Sequence, residues 1–243
     1  MDSVHDIVIR KLTEHSRIDP EDEAALRSLA VRTRELKPDE DLLAEGSARE
    51  ALCLVIDGLV ARYHTRSNGK RQYLSFHMSG DLPDAQALFL KQRDYALCSI
   101  GKARVGLIGC EELFELIRAR PSIGFAVWRG TLIDAAIVRA AIANLGARPG
   151  RTRMAHLFCE LYYRARSSGI AKQGSCYLPF HQGQLGDALA MSLVTVNRTL
   201  QALRRTGAIQ FRDGTMTVHD WSRLAEIGHF DPGYLHIQRP VRL

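Results

Sequence analysis

A run of polar and basic side chains near the C-terminus has the chemistry to recognise a nucleic acid. Within Leu193–Arg205, apolar residues at spacings of four and three, Val196, Leu200 and Leu203, predict the buried face of a helix. The other face carries side chains that can contact thymine methyl groups, donate to purine acceptors or bind phosphate oxygens: Val194, Thr195, Asn197, Arg198 and Gln201. We therefore expect this helix to present a nucleic-acid-binding surface.

A second, shorter helix must support that surface. His181–Ala190 carries Leu185 and Leu189 on one face, and Met191-Ser192 then form a turn. Ser192 is a residue type that accepts a hydrogen bond from the first turn of the following helix. A short helix, a tight turn and a polar-faced second helix together predict a helix-turn-helix.

A β-hairpin is predicted directly after the second helix. Ala208–Phe211 and Met216–Val218 flank Asp213-Gly214, a residue pair typical of two-residue hairpin turns. Arg212 lies in this hairpin and completes the predicted DNA-binding set. Asp220 then caps a last short helix, so the segment reads as a winged helix-turn-helix.

The positive charge of the chain is concentrated in the same region. From Ala147 to the C-terminus, 13 Lys and Arg oppose six Asp and Glu, whereas the first 146 residues carry 20 and 21. A basic C-terminal region beside a neutral N-terminal one predicts a polyanion-binding domain. Helix pairs also occur in domains that dock protein or RNA, which leaves a protein-docking module as an alternative. Arg198, Arg204 and Arg205 make the second-helix surface basic and favour DNA.

Short alternating runs predict β-strands in the N-terminal half, after a helical segment that starts around Pro20. Leu52–Ile56 and Leu59–Tyr63 are separated by Asp57-Gly58, and Asn68-Gly69 precedes the next apolar run, so we expect two β-hairpins. Glycines recur every 11 or 12 residues, the strand-plus-turn spacing of a small antiparallel barrel or jelly roll, although chance can also produce such a series: Gly46, Gly58, Gly69 and Gly80.

A long helix is predicted over residues 122–146. One apolar stripe follows steps of three and four: Trp128, Leu132, Ala135, Val138, Ile142 and Leu145. A second stripe starts at Ile133, so packing on one side only would leave apolar surface uncovered, and we expect a parallel homodimer through this helix. The alternative is a helix buried entirely within its own subunit. Pro149 and Gly150 then interrupt the helical pattern.

Together these patterns predict an α+β fold in three parts. Residues 1–121 form N-terminal helices and an antiparallel jelly roll or barrel, residues 122–146 the dimerisation helix, and residues 147–243 the winged helix-turn-helix with a C-terminal tail. The sequence does not indicate what that tail does.

Other functions lack the residues that they require. The chain has no HExxH, no phosphate-binding glycine loop and no nucleophile elbow, so we do not expect an enzyme. Its cysteines are odd in number without a CxxC pair, which argues against disulfides and metal clusters and predicts buried free thiols: Cys53, Cys98, Cys110, Cys159 and Cys176. A lone His64 or His77 leaves haem open, but single histidines are more often surface or core residues. We expect no cofactor.

The chain also lacks the marks of a secreted or membrane protein. The N-terminus has neither the basic start nor the apolar stretch of a signal peptide. Asp134 and Arg139 interrupt the longest apolar stretch, so we expect no membrane span and a cytoplasmic location.

These segments resemble the CRP/FNR family of bacterial transcription regulators over nearly the whole chain. Gln182–Leu189 and Thr195–Leu200 are similar to that family's helix-turn-helix, while Glu45-Gly46, Asp57-Gly58 and Gly80-Asp81 resemble the turn markers of its cyclic-nucleotide-binding-type barrel. The resemblance implies a homodimer joined through the long helix, two recognition helices in successive major grooves of palindromic double-stranded DNA, and contact with RNA polymerase.

The resemblance also assigns roles to individual residues. It places Ser192, Val194, Asn197 and Arg198 at bases or adjacent phosphates, and His181 and Gln182 at the DNA backbone. Family members often have an Arg-Glu pair where this chain has Leu193-Val194, so the operator should differ and thymine methyl contact is favoured.

The N-terminal half departs from the nucleotide-binding members of the family. Those members contact ribose through a Gly-Glu pair and hold the cyclic phosphate through an Arg-Ser pair. The matching positions here are Asp84-Ala85 and Asp94-Tyr95, and an aspartate repels a phosphate, although Arg93 is one position away. We therefore expect a regulator that works without cyclic nucleotide. A barrel that binds another small molecule is the alternative.

Overall fold

A computed structural model describes residues 3–238 and Val241. The contacts divide the described residues into two compact units, one from residues 3–64 and 74–135 and one from residues 65–73, 136–238 and 241. Each unit contains helices and antiparallel strands. The predicted α+β class is confirmed.

The N-terminal unit has helices before and after its sheet: α1 Val4–Thr13, α2 Pro20–Arg27, α3 Cys110–Ala119 and the first part of α4 Pro121–Ala147. Helix α1 starts in a capping box, because the Asp6 amide donates to the Ser3 hydroxyl at 3.1 Å and the Ser3 amide donates to the Asp6 carboxylate at 3.0 Å. Helix α2 has Asp19 as its cap and proline in its first turn, so both helices begin where the sequence supplies partners for exposed amides.

Five antiparallel strands form one sheet in the order β1-β5-β3-β4, with β2 also paired to β5. Two of the strands are long, and a 3-10 helix at Ala85–Leu88 separates the last two. The strands are β1 Val31–Leu36, β2 Asp41–Leu43, β3 Ala51–Thr65, β4 Arg71–His77 and β5 Ala96–Gly109.

The hairpin predicted at Asp57-Gly58 is wrong. Strand β3 runs through this point, and its pairing with β5 shifts register on both sides of Asp57. Gly58 has φ +83°, and a Cβ atom there would lie 2.5 Å from the Lys102 carbonyl oxygen, so the glycine allows a bulge against β5. The turn predicted at Asn68-Gly69 is confirmed, because it joins β3 to β4.

The apolar run of β3 is buried on both faces of the sheet. Leu52 and Leu54 belong to a core cluster with residues of all four N-terminal helices. Cys53 and Val55, which point to the other face, belong to a second cluster with residues of β1 and β5. A continuous apolar run therefore reflects a strand covered on two sides.

The C-terminal unit is built on one buried helix. Helix α5, Gly150–Ser167, packs against helices α7 and α8, and a small sheet has the order β6-β8-β7. The first strand of this sheet, Ser175–Tyr177, precedes the two helices of the helix-turn-helix. The elements are α5, β6 Ser175–Tyr177, α6 Gln182–Leu189, α7 Leu193–Arg205, β7 Ile209–Arg212, β8 Thr215–Val218 and α8 Trp221–Gly228.

The chain after α8 closes the core of this unit. The Tyr234 ring stacks on His156 with centroids 6.0 Å apart, and Phe230 meets the same histidine edge to face at 5.4 Å. The Tyr234 hydroxyl donates to the Glu160 carboxylate at 2.8 Å. Burial, with the nearby Arg148 charge, lowers the pKa of His156 to about 4. The described part of the tail is therefore structural.

All five cysteines are free and buried, as predicted. Burial raises the pKa of the Cys53, Cys110 and Cys159 thiols, and that of Cys176 to about 12. These thiols stay protonated at neutral pH.

Candidate nucleic-acid interface and dimer surface

The second helix of the helix-turn-helix has the predicted bounds. Helix α7 starts at Leu193 because the Ser192 hydroxyl accepts from the Thr195 amide at 3.2 Å. Val196 and Leu203 are fully buried, so one face of α7 is fixed in the core of its unit and the opposite face is open.

The first helix is capped by a residue predicted to touch DNA. The His181 ring accepts from the Gln184 amide at 3.1 Å, and the Gln184 side chain accepts from the His181 amide at 3.0 Å. At Gly186 a Cβ atom would lie 2.8 Å from the Met191 carbonyl oxygen, so the turn packs directly against α6 at this glycine. The turn is completed by Ala190 with φ +52°.

The structure places the nine predicted DNA-binding residues at the start of α6, along α7 and in the β7–β8 hairpin. Thr195 is half-buried, and its hydroxyl lies 2.9 Å from that of Ser192. The Arg212 guanidinium lies 3.3 Å from the neighbouring Asp213 carboxylate in an exposed pair. The other members are exposed, and their roles remain predictions: His181, Gln182, Ser192, Val194, Asn197, Arg198 and Gln201.

Two further residues shape this surface. Leu193, at the first position of α7, is exposed although it is apolar, and it is not among the nine predicted DNA-binding residues. The Arg204 guanidinium donates to the Phe211 carbonyl and ties α7 to the hairpin. No local pattern in the sequence predicts that bond, because a strand register decides it.

The apolar stripe predicted on the long helix is open to solvent in the single chain. Trp128, Leu132 and Ile142 are exposed, and Ala135, Val138 and Leu145 are half-buried. In the second stripe, Ile133, Ala136 and Ile137 are buried within the chain. Phe125, which we did not predict, is exposed one turn before Trp128 and extends the stripe. By length and composition α4 could cross a membrane, but core helices of soluble proteins have the same length and composition.

A buried arginine joins several parts of the N-terminal unit. The Arg62 guanidinium donates to the Pro83 carbonyl oxygen from Nε at 2.6 Å and forms an ion pair with Asp134 of α4. It also lies over the Tyr95 ring, 4.9 Å from the centroid. Strand β3, the loop after β4 and helix α4 are therefore held by one internal cation.

A second buried ion pair lies in the region matched above to the ribose-contacting and phosphate-contacting pairs of nucleotide-binding proteins. The Arg93 guanidinium lies 3.1 Å from the Asp84 carboxylate and donates to the Ala51 carbonyl at 2.7 Å. Burial raises the pKa of Asp84, while the Cys53 amide and Arg93 act in the opposite direction. Asp94, which we matched to the phosphate-binding arginine, is exposed, so the inward position belongs to Arg93.

Two family models match the chain in the order that this architecture requires. The cyclic nucleotide-binding domain matches residues 33–120, and the Crp-like helix-turn-helix domain matches residues 152–227. The chain belongs to the CRP/FNR family of transcription regulators.

Individual relatives are distant but cover most of this CRP/FNR protein. The transcriptional activator protein FnrL of Cereibacter sphaeroides is 22% identical and aligns over 91% of this chain and 90% of its own. The anaerobic regulatory protein of Haemophilus influenzae is 21% identical over 83% of this chain and 78% of its own. The structure of FixK2 from Bradyrhizobium japonicum superposes with a TM-score of 0.71 at 23% identity, over 82% and 98% of the two chains, and supports the fold.

Proposed function

We propose that this CRP/FNR protein regulates transcription in the cytoplasm by binding a palindromic DNA site as a homodimer, without cyclic nucleotide. The observation that carries the proposal is the open face of α7. That face presents polar and basic side chains on a helix whose other face is locked by Val196 and Leu203. A rigid helix with an open basic face fits the major groove of DNA.

Each predicted side chain has a role that its chemistry allows. The Asn197 amide can pair with adenine, and the Arg198 guanidinium can pair with guanine or a phosphate. His181 and Gln182, at the start of α6, suit the DNA backbone, as do Ser192 and the hairpin cation Arg212. Thr195 and Gln201 lie beside the base-reading positions of α7.

The exposed stripe on α4 supports the homodimer. Two copies related by a twofold axis would cover Trp128, Leu132 and Ile142 of each chain with the same residues of the other. Helix-turn-helix dimers of this kind read two half-sites about 34 Å apart, one turn of DNA, so a symmetric homodimer would bind a palindromic site. We assign this role to residues 122–146, between a sensor-like region at 1–121 and a DNA-binding region at 147–243.

The buried ion pairs support action without cyclic nucleotide. A cyclic phosphate needs an available cation, and the inward-facing Arg93 is paired with Asp84 and with backbone carbonyls. Arg62 likewise has carbonyl and carboxylate partners. Family membership further supports RNA polymerase as a partner of the DNA-bound protein.

The test is a DNA-binding measurement with the full chain. Binding sequences are selected from random duplexes, and affinity is measured by fluorescence anisotropy at several salt concentrations. Arg198→Ala should weaken binding about tenfold to a hundredfold, the cost of one lost bidentate contact. The matched control is Arg118→Ala, because Arg118 is an exposed helix arginine of the N-terminal unit.

Two results would contradict the proposal. Equal affinity for selected and random DNA would contradict sequence-specific binding. A rise in DNA affinity on addition of cyclic AMP or cyclic GMP would contradict the proposal that the protein works without cyclic nucleotide, whatever the effect of Arg198→Ala.

A further inference from the structure

The first turn of α7 is apolar and exposed. Leu193 is 57% exposed and Val194 71%, the highest value among the large hydrophobic side chains that the structure describes. The remaining long apolar residues of the helix, Val196, Leu200 and Leu203, are buried. Packing within the chain therefore does not explain the Leu193-Val194 pair.

The two hydroxyls beside this pair interact with each other and with the start of the helix. The Ser192 hydroxyl accepts from the Thr195 amide at 3.2 Å and lies 2.9 Å from the Thr195 hydroxyl. Leu193 and Val194 have no side-chain donor or acceptor. The first turn of α7 therefore offers a DNA base an apolar contact.

Charge indicates which partner covers the pair. The exposed arginines of the same helix, Arg198, Arg204 and Arg205, suit a polyanion, and no acidic residue lies within Leu193–Arg205. A DNA duplex is a polyanion that also carries an apolar group in its major groove, the C5-methyl of thymine. The edges of guanine and cytosine would instead lose water to Leu193 and Val194 without gaining a hydrogen bond.

We infer that Leu193 and Val194 select DNA half-sites through C5-methyl groups, so that thymine is preferred for its methyl group and 5-methylcytosine is preferred over cytosine at the same position. The inference rests on the proposed function and adds Leu193 as a specificity-determining residue. The two side chains contact the C5-methyl group itself and form no hydrogen bond with the base edge.

The test removes methyl groups from DNA and apolar groups from the protein separately. A selected half-site is synthesised with each thymine replaced in turn by deoxyuridine, and with cytosine or 5-methylcytosine at the same positions. Loss of one contacted methyl group should weaken binding about fourfold, the equivalent of about 0.8 kcal/mol for one buried carbon group. 5-Methylcytosine should bind about fourfold more tightly than cytosine at that position.

The same DNA series is measured with protein variants. In the double variant Leu193→Ala/Val194→Ala, deoxyuridine and thymine should bind equally. Leu90→Ala is the matched control, because Leu90 is an exposed leucine of the N-terminal unit, and it should keep the fourfold dependence. Both residues of the pair are exposed, so unchanged thermal unfolding will show that the double variant is folded.

The outcomes separate the two proposals. Sequence-specific binding without a deoxyuridine effect at any position overturns the inference and leaves the proposed function standing. A deoxyuridine effect that persists in the double variant also overturns the inference, because another group then recognises the methyl. Absence of any sequence-specific binding overturns both.

Discussion

Replacing Leu132 by alanine should weaken the dimer by an amount that follows from its exposure. The side chain is 51% exposed in the single chain, so about half of its surface remains to be covered by a partner. Full burial of a leucine contributes about 1.5–3 kcal/mol, and the half still open contributes about 1 kcal/mol. A twofold-symmetric dimer contains the substitution in both subunits, so the free energy of dimerisation should weaken by about 2 kcal/mol. The dimer Kd should then be about thirtyfold higher.

Sedimentation equilibrium over a range of concentrations measures this Kd. Leu90→Ala is a close control, because Leu90 is also 51% exposed and lies outside α4. The reasoning is refuted if Leu132→Ala leaves the Kd unchanged, or if Leu90→Ala changes it as much. DNA affinity should fall together with dimerisation, because each half-site contact then acts alone.

Three further predictions concern the interior. Gly58→Ala should lower the free energy of unfolding by about 2–4 kcal/mol and Gly69→Ala by about 1 kcal/mol. Both glycines have positive φ, but only at Gly58 would the new Cβ atom collide with strand β5. Equal urea midpoints for the two variants would contradict this. Arg93→Ala should lower the free energy of unfolding by about 3–5 kcal/mol, because it leaves the Asp84 carboxylate unpaired. The double variant Asp84→Asn/Arg93→Met should recover most of that loss in urea unfolding. A double variant whose loss equals the sum of the two single losses would contradict coupling between the two residues. The pKa of His156 falls from 6.5 to about 4 on folding, so the C-terminal unit should lose stability as the pH drops from 6.5 to 4. His156→Gln should flatten that thermal-unfolding profile, and an unchanged slope would show that another group titrates.

The helix-turn-helix could be predicted from the sequence because its signals are local. Ser192 lies one residue before α7, and the Asp213-Gly214 pair separates two short strands at the predicted place. Caps and two-residue turns depend on neighbours within a few positions, so their residue types are informative by themselves.

The interior of the N-terminal unit depends on contacts that are distant along the chain. Asp57-Gly58 fits a hairpin turn and a bulge equally well, and only pairing with β5 decides for the bulge. Arg62 and Asp134 are 72 positions apart, so no periodicity connects them. The family resemblance predicted Asp94 at the buried position that Arg93 occupies. No local sequence pattern reveals a shift of one residue in a loop.

The five buried thiols make the native chain suitable for site-specific labelling. Because all five are buried and burial raises the pKa of Cys53, Cys110, Cys159 and Cys176, a maleimide dye should react with a cysteine introduced at an exposed position well before it reaches any natural one. Dyes placed on α4 and α7 would then report by energy transfer how the DNA-reading helix moves when the operator binds, with no background of cysteine substitutions to disturb the core.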